Sequence, residues 1–465
     1  MNTRRYLSYH LTSLPLALFA ILASTASAVL ADGSPNATDN DGSRFMQPKG
    51  DPDFPGFPGR PGSPGEPVFP GPGPFPMPPG GFGSTSDFGS PLPGISPDQL
   101  ALFLVGSNQF ATLDDTNHGL GPIFNSPVGE CPSAVGCITC HAQPAIGGLV
   151  PSFETRAGLI TAAGFDPLTD LGGSLFHSCA VPGSAVETNP VIGLPNGVTA
   201  FREIIPVFGD GLIEAIPDQT IVINAFISRG DGVNGKPAYI SDPGSTNASG
   251  QNPIRVGRFG WKAQEASLRG FSGDAYDNEM DVSNPVFPYN LLPNAPPVPV
   301  PYADLEDLPD ATGKADIDRF TDFMRLLAPP PALPLTNQST LHGSLLFATV
   351  GCARCHTPVL FTGFSTNRAL AFQPVRLFSD LLLHDMGSLN DNIAQAAAAT
   401  NQMRTPPLWG VRVRAQLGVL NHDGLSTNFL QAISRHDGEG LNARVRFFQL
   451  KAQDQNDLIN FLNTL

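Results

Sequence analysis

The sequence predicts a mainly α-helical protein of two domains, with long irregular loops and few short strands. Three segments, which begin near residues 96, 314 and 452, carry apolar residues at helical spacing. Long stretches rich in Pro, Gly and Asn separate these segments and show little periodicity. One short cysteine motif occurs in each half of the chain, which indicates two related domains.

The first predicted helix has a recognisable beginning. Ser96 suits the N-cap, Pro97 fits the first helical position, and Asp98 favours the positive end of the helix dipole. A second helix is predicted over residues 314–327, where apolar residues share one stripe. A last amphipathic helix is predicted over residues 452–465.

Three consecutive prolines follow the second helix and mark the predicted domain boundary. Proline cannot continue a helix, so the chain must change direction there. We therefore expect a first domain over residues 96–330 and a second domain over residues 331–465.

The N-terminus has the pattern of a secretory signal peptide. Arg4 and Arg5 precede a short apolar run at residues 14–23. Small residues follow, and an A-x-A cleavage pattern ends at Ala28. We predict a cleaved leader over residues 1–28 and therefore a periplasmic or secreted protein. The alternative is an uncleaved anchor, for which the apolar run is short.

Residues 29–95 are predicted to form a Pro/Gly-rich disordered tail. The chain contains 49 Gly and 48 Pro, and residues 48–83 alone hold 13 Pro and 10 Gly. Four Gly-x-Pro triplets at residues 56–67 are too few for a collagen triple helix. A semi-extended spacer is the simpler prediction.

The net charge excludes two classes of partner. The chain carries −15 at pH 7, and loss of a leader with two arginines and no acid lowers this to −17. Nucleic acids and anionic membranes bind basic surfaces, so neither is expected as a partner. No later stretch of 18 apolar residues predicts a membrane span. The acidic balance favours a basic protein partner.

Two five-residue strings, at residues 137–141 and 352–356, follow the pattern Cys-x-x-Cys-His. This is the attachment pattern of c-type haem. Two thiols on one helical turn can form thioethers with the haem vinyl groups, and the adjacent imidazole can ligate the iron. The alternatives are a thioredoxin-like redox pair, which lacks its βαβ context, and a zinc site, which needs four ligands. The predicted attachment residues are Cys137, Cys140, His141, Cys352, Cys355 and His356.

The other two cysteines are Cys131 and Cys179. In an exported protein they could form a disulfide, because that compartment is oxidising. Two free thiols are the alternative.

The two halves of the chain share features beyond the cysteine motifs. A Gly-x-x-x-Phe segment precedes each motif, at residues 106–110 and 343–347. Residues 201–215 also echo residues 403–415. The second half, with a helix before its motif and an amphipathic helix at its end, resembles a cytochrome c domain. We therefore expect two cytochrome c-like domains with one covalent haem each.

Several longer strings resemble the bacterial di-haem oxidoreductase family, often labelled thiol oxidoreductase, which is related to di-haem cytochrome c peroxidases. The resemblance covers residues 96–465. It implies a peroxidase-like oxidoreductase that takes electrons from a small periplasmic redox protein and reduces a small-molecule oxidant. The relation to the peroxidases also allows for calcium between the domains. The strings are GLGPIFN, GLIEAIPD, VGRFGWKAQ, NEMDVSNPVFP, DLLLHDMG, RTPPLWG and HDG.

The resemblance also implies roles for residues near the second haem. His436 lies where the related peroxidases carry a distal Met, so we expect His436 to be the sixth ligand of the second iron. A His/His pair lowers the potential of an iron relative to His/Met. Met386 is the competing ligand, and a histidine that only forms hydrogen bonds is the alternative for His436.

Near the first haem, Glu279 matches the acidic residue that the related peroxidases place above the reactive haem. Trp261 matches the Trp between their two haems, where it could relay an electron. The alternatives are a surface or capping carboxylate and an ordinary core Trp. No histidine before Trp261 matches the distal ligand of the relatives. The first iron is therefore expected to be five-coordinate, or to bind Met280 or His177.

Three arginines, Arg202, Arg258 and Arg404, are expected to bind haem propionates through bidentate contacts. Solvated surface arginines are the alternative. Two other functions stay open: a pure electron-transfer protein with both irons six-coordinate, and haem-dependent oxidation of an organic or protein substrate.

Overall fold

The computed structural model describes residues 88–127, 131–227 and 229–465. The predicted leader and most of the predicted tail lie outside these residues. Phe88 and Leu92, at the end of the predicted tail, are buried, and Phe88 contacts Phe208 with ring centroids 5.3 Å apart. The described residues all belong to one compact unit, Pro64–Leu465.

The prediction of a mainly α-helical protein is wrong. About 30% of the described residues are helical and 18% lie in strands or bridges. The strands form many small sheets, so the structure does not consist of clearly α-helical cytochrome c domains. Most of these strands are only two to five residues long. Such strands are too short to show an alternating apolar pattern. The sequence therefore predicts loops in the Pro/Gly-rich segments that contain them.

The described residues form eleven α-helices. They are α1 Pro97–Phe110, α2 Cys137–Cys140, α3 Asp210–Glu214, α4 Asp218–Ala225, α5 Leu268–Met280, α6 Asp316–Leu326, α7 Gln338–Thr349, α8 Val411–Leu417, α9 Phe429–Ser434, α10 Leu441–Gln449 and α11 Ala452–Leu462. Short 3-10 turns occur at Thr169–Leu171, Tyr302–Asp304, Cys352–Arg354 and Gly438–Gly440. The three helices predicted from the sequence are confirmed as α1, α6 and α11.

The strands of the described residues pair in antiparallel fashion. They are β1 Asp114–Asp115, β2 Ile123–Phe124, β3 Ala134–Val135, β4 Phe153–Thr161, β5 Gly164–Asp166, β6 Leu175–Phe176, β7 Cys179–Ala180, β8 Gly197–Glu203, β9 Ala238–Ser241, β10 Ile254–Gly257, β11 Tyr289–Leu292, β12 Ala295–Pro299, β13 Leu360–Phe361, β14 Pro374–Val375, β15 Leu383–Asp385 and β16 Gln402–Arg404. The largest sheet has β4 paired with β5, β6 and β8. The other strands form pairs: β1–β3, β2–β7, β9–β10, β11–β12, β13–β14 and β15–β16.

The N-terminus of α1 is capped by Ser96, as the sequence predicts. The Ser96 hydroxyl accepts a hydrogen bond from the Gln99 amide, and the Gln99 side chain accepts one from the Ser96 amide. This capping box satisfies two amides that the helix cannot pair internally.

Two glycines allow close contact between helix pairs. A Cβ at Gly106 in α1 would collide with the backbone of Arg319 in α6, and a Cβ at Gly343 in α7 would collide with the backbone of Asp457 in α11. The Gly of each Gly-x-x-x-Phe segment therefore serves the same purpose. It lets a helix that precedes a cysteine motif pack directly on a later helix.

The buried apolar residues form two main clusters. The larger one runs from Phe88 to Val413 and so includes residues on both sides of position 330. The second lies within residues 347–465 and contains α7 and α11. A disulfide joins Cys131 and Cys179, which settles the alternative that the sequence left open. Of the helices in the described residues, none has the length and apolarity that a bilayer crossing requires.

Replacement of a buried Phe should test the first cluster. The Phe323 side chain is 0% exposed and contacts the rings of Phe103 and Phe110, at 5.3 and 4.9 Å between centroids. We expect Phe323→Ala to lower the free energy of unfolding by about 3–5 kcal/mol because it leaves a cavity. The matched control is Phe226→Ala, since Phe226 is 83% exposed, and its effect should stay within about 0.5 kcal/mol. Denaturant unfolding measures both; equal losses would contradict the packing described here.

Candidate haem sites

The first cysteine motif forms α2 and one wall of a cavity. Cys137, Cys140 and His141 all line this cavity. The His141 Nδ1 lies 3.0 Å from the Gly148 carbonyl oxygen, which leaves Nε2 for a metal. Burial lowers the pKa of His141 to about 4, so the imidazole is neutral and keeps a free lone pair.

The second motif repeats this arrangement in a 3-10 turn. Cys352, Cys355 and His356 line a second cavity, and the His356 Nδ1 lies 3.1 Å from the Phe378 carbonyl oxygen. Burial, followed by the charge of His436, lowers the pKa of His356 to about 4. Both imidazoles therefore present a neutral Nε2.

The second cavity places two imidazoles opposite each other. The ring centroids of His356 and His436 are 6.5 Å apart. Two imidazoles that bind one metal ion from opposite sides, with metal–nitrogen distances of about 2 Å, have centroids roughly 6 Å apart. The His436 Nδ1 lies 2.8 Å from the Ala432 carbonyl oxygen, which again leaves Nε2. The separation therefore matches two axial ligands.

Two other candidate side chains also line the second cavity. Met386, the competing ligand in the sequence-based prediction, is part of its wall. His422 is part of the same wall but lies against Trp261, with ring centroids 6.2 Å apart.

The first cavity differs from the second in its histidines, because the second contains His436 beside His356. Among the described residues that line the first cavity, His141 is the only histidine, and Glu279 and Met280 from the end of α5 complete the wall. Burial, followed by the charge of Glu154, raises the pKa of Glu279 to about 7. The Asn125 side-chain amide donates a hydrogen bond of 2.8 Å to Glu279 Oε2 and so orients the carboxyl group.

His177 does not reach this cavity wall. Its Nδ1 lies 2.8 Å from Glu187 Oε2, and its Nε2 lies 2.7 Å from the Asn278 carbonyl oxygen. Both ring nitrogens are therefore engaged, which leaves Met280 as the candidate for a sixth ligand of the first iron.

Trp261 lines both cavities. Its indole N–H donates a hydrogen bond of 2.8 Å to the Glu203 carbonyl oxygen, which fixes the ring. The guanidinium of Arg414 lies over the ring, 5.2 Å from its centroid. Trp261 therefore lies in the wall between the cavities.

The three predicted propionate ligands have different positions. Arg202 lines the first cavity, and Arg404 lines the second. The Arg258 guanidinium pairs with Asp218 and donates to the carbonyl oxygens of Val256 and Ile216, so its donors are already used. Arg258 lines a small neighbouring pocket but neither cysteine cavity.

A buried ion network joins the two halves beside the first cavity. Asp391 accepts a 2.7 Å hydrogen bond from Arg202 Nε and pairs with Lys262 Nζ at 2.7 Å. Antiparallel pairing of β4 and β8 places Arg202 opposite Glu154, which also pairs with it at 3.4 Å. Burial lowers the pKa of Lys262 to about 8 even though Asp391 opposes this change.

Sequence reasoning missed several charged residues around the cavities. Arg414 lines the second cavity, as do His384 and Glu439, whose side chains lie 2.6 Å apart. Burial opposes the charge on His384, but Asp380 and Glu439 outweigh it and hold the pKa of this imidazole well above its usual value. Only the fold reveals them, because it brings together α8, which carries Arg414, β15, which carries His384, and the 3-10 turn that carries Glu439.

The residues of both cavities fit a covalently attached haem. In each case two thiols and a neutral imidazole line the same cavity. Burial raises the pKa of Cys137 and of Cys352 to about 12, so both are neutral thiols in the absence of a bound group. The four motif cysteines are also divided between two cavities instead of forming one four-ligand site. Apolar side chains complete the second cavity, among them Phe347, Leu408, Val411, Leu420, Phe429, Leu458 and Leu462.

One known protein family matches most of the chain. The family described as "Di-haem oxidoreductase, putative peroxidase" matches residues 195–465, which is more than half of the chain. This range contains the second motif, Trp261, Glu279 and His436. No curated protein matches the chain.

Removal of the shared anion should test the buried network. We expect Asp391→Asn to lower the free energy of unfolding by about 3–5 kcal/mol, because Arg202 and Lys262 then lose their common counter-ion inside the protein. The matched control is Asp322→Asn, which breaks a more exposed pair with Lys314 and should cost at most about 1 kcal/mol. Denaturant unfolding compares the two; a small loss for Asp391→Asn would contradict the network.

Proposed function

The chain belongs to the di-haem oxidoreductase family, and from this premise we propose an exported di-haem c-type cytochrome that reduces peroxide. In this proposal Cys137, Cys140 and His141 hold the first haem. Cys352, Cys355 and His356 hold the second. The haems supply the iron redox chemistry when bound.

The difference between the two cavities carries the proposal. The second cavity offers a pair of imidazoles, His356 and His436, whose ring centroids are 6.5 Å apart and which would both hold the second haem iron. The first offers one imidazole and, at the end of α5, a carboxyl group with a pKa of about 7. A closed site suits electron storage, whereas a site with room and an acid/base group suits a small oxidant.

Glu279 is the proposed acid/base group of the first cavity. A pKa of about 7 allows its carboxylate to take a proton from one oxygen of hydrogen peroxide and return it to the other oxygen at neutral pH. The hydrogen bond from Asn125 to Oε2 leaves Oε1 for this exchange. The side chain would hold the proton until the O–O bond breaks. Two electrons from the donor protein and two protons from solvent then complete the reduction of both oxygen atoms to water.

Trp261 is the proposed connection between the sites. It lines both cavities, and its indole is fixed by the hydrogen bond to Glu203 and by the Arg414 guanidinium. The electron donor in this proposal is a small basic periplasmic protein. The net charge of −15, or −17 without the leader, supports that choice because opposite charges speed association.

A second candidate function is electron transfer alone. Met280 is buried in the wall of the first cavity, and a thioether at that position could be a sixth ligand. The role of Glu279 separates the two candidates, since an electron-transfer protein has no need of an acid/base group.

Replacement of Glu279 should test the peroxidase proposal. We expect Glu279→Gln to lower kcat/KM for hydrogen peroxide by about 10²–10⁴-fold, because the amide cannot exchange the proton. In the unmodified protein kcat/KM should fall as the pH drops below about 7, where Glu279 becomes protonated, and this pH dependence should vanish in the variant. Peroxide-dependent oxidation of a reduced electron donor measures both. The matched control is Asp170→Asn at an exposed position, and an unchanged rate in Glu279→Gln would favour electron transfer alone.

Replacement of His436 should test the assignment of the second site. We expect His436→Met to raise the midpoint potential of one haem by on the order of 100 mV, because thioether ligation stabilises reduced iron. The other haem should keep its potential. Spectroelectrochemical titration measures both values. The control is His118→Ala, since His118 is exposed and pairs only with Asp115 among the described residues; equal potentials in His436→Met and the unmodified protein would contradict the assignment.

A further inference from the structure

Glu203, the last residue of β8, is a buried acid in the wall of the first cavity. It is 2% exposed. Its amide donates a 2.7 Å hydrogen bond to the His422 carbonyl oxygen, and its own carbonyl oxygen accepts the indole N–H of Trp261. Antiparallel pairing places Phe153 of β4 directly opposite. Glu203 is therefore held where the first cavity meets the wall that it shares with the second.

The carboxyl group of Glu203 has no hydrogen-bond partner among the described residues. Both of its oxygens are buried and both are unpaired. Oε2 lies against Gly424, where an added Cβ would come within 2.8 Å of Oε2 and within 2.5 Å of the Phe153 ring. A buried carboxylate without a hydrogen bond costs much more free energy than the neutral acid, so these surroundings favour the protonated form.

The charged groups on the strands around Glu203 are engaged with other partners. Arg202 precedes it in β8 and pairs with Asp391 and with Glu154 of β4. Lys262, which follows Trp261 in the chain, also pairs with Asp391. These groups form a separate network and leave the Glu203 carboxyl group without a counter-ion on this side.

One cation acts on Glu203 from the other side. In the loop after α8, Asp423 pairs with Arg435, and burial lowers the pKa of His422 to about 4, so this imidazole is neutral. Arg414 of α8 attracts the carboxylate form of Glu203, but burial outweighs it and raises the pKa of Glu203 to about 8. A modest change of charge in the adjoining cavity is therefore enough to change the protonation of Glu203 near neutral pH.

We propose that Glu203 is a redox-linked proton site of the first haem. Its carboxylate takes up one proton from solvent when one electron from the donor protein enters that site, and releases the proton when the electron leaves. The O–H bond of Glu203 is the only bond that forms or breaks. An added electron disfavours a second negative charge nearby, and this effect is strong in a wall that excludes water. Proton uptake thus keeps the local charge constant.

This inference rests on the proposed function only in requiring a haem at the first motif. Glu203 lines the first cysteine cavity and not the second, so the linkage belongs to the first haem. It acts through its charge and is separate from the proton exchange assigned to Glu279. A protein that does not reduce peroxide can still show the linkage, and a peroxidase can lack it. The two failures are therefore distinguishable.

Spectroelectrochemical titration of the full-length holoprotein at a series of pH values tests the proposal. The midpoint potential of the first haem should fall as the pH rises around pH 8, because the proton stabilises the reduced form. A tenfold change in proton concentration converts to at most about 59 mV for one electron. Glu203→Gln should abolish this slope. The matched control is Glu306→Gln, the same change at an exposed position outside the cavities, which should keep it. The second haem is identified by its response to His436→Met.

Infrared difference spectra of the reduced and oxidised protein give a second measurement, which serves even if Glu203→Gln does not fold. Reduction near pH 8 should produce the carbonyl stretch of a protonated carboxyl group. Glu203→Asp keeps the acid, so it should retain the slope of the potential but shift this band. The proposal is overturned if the potential of the first haem does not depend on pH. It is also overturned if Glu203→Gln keeps the slope, as a titrating haem propionate would cause, or if Glu203→Asp leaves the band unshifted.

Discussion

The close contact of two helix pairs is the constraint on which the rest of the structure depends. α1 meets α6 at Gly106, and α7 meets α11 at Gly343, where a Cβ would collide with the partner backbone. The same helices carry Phe110 and Phe347. Their rings contact the imidazole of the nearest motif, at 5.9 and 6.4 Å between centroids. A helix–helix contact that only glycine permits thus positions the histidine of each motif.

Charge compensation is the second constraint, because ionised groups out of contact with water lie beside the first cavity and at the wall that it shares with the second. Arg202 and Lys262 share Asp391, and the Arg414 guanidinium lies on the face of Trp261. Each of these charged groups can stay buried only while its partner is present, since an unpaired buried charge destabilises the folded protein. Residues far apart in the chain must therefore meet at this wall, and the larger apolar cluster accordingly includes both halves.

The predictions from the sequence succeeded where the signal is local. The cap at Ser96 and the apolar stripes identified α1, α6 and α11 because a helix is stabilised by neighbours three or four positions away. The mainly α-helical fold class was wrong, because strands such as Ala134–Val135 are too short to show a period. The sequence predicts Arg258 as a propionate ligand because it does not reveal that the Arg258 guanidinium contacts Asp218 and the Ile216 carbonyl oxygen.

By itself the sequence determined the positions of the two attachment motifs, because two thiols and an imidazole within five residues need no distant partner to form one unit. It also indicated the disulfide between Cys131 and Cys179, which are the only cysteines outside the motifs. The family resemblance indicated which residues face each motif, and only the tertiary structure shows where they lie. His436 lies opposite His356, and Glu279 is in the wall of the cavity that contains His141. These pairings join residues 80 or more positions apart, so they follow from the packing of the whole chain and not from any local pattern.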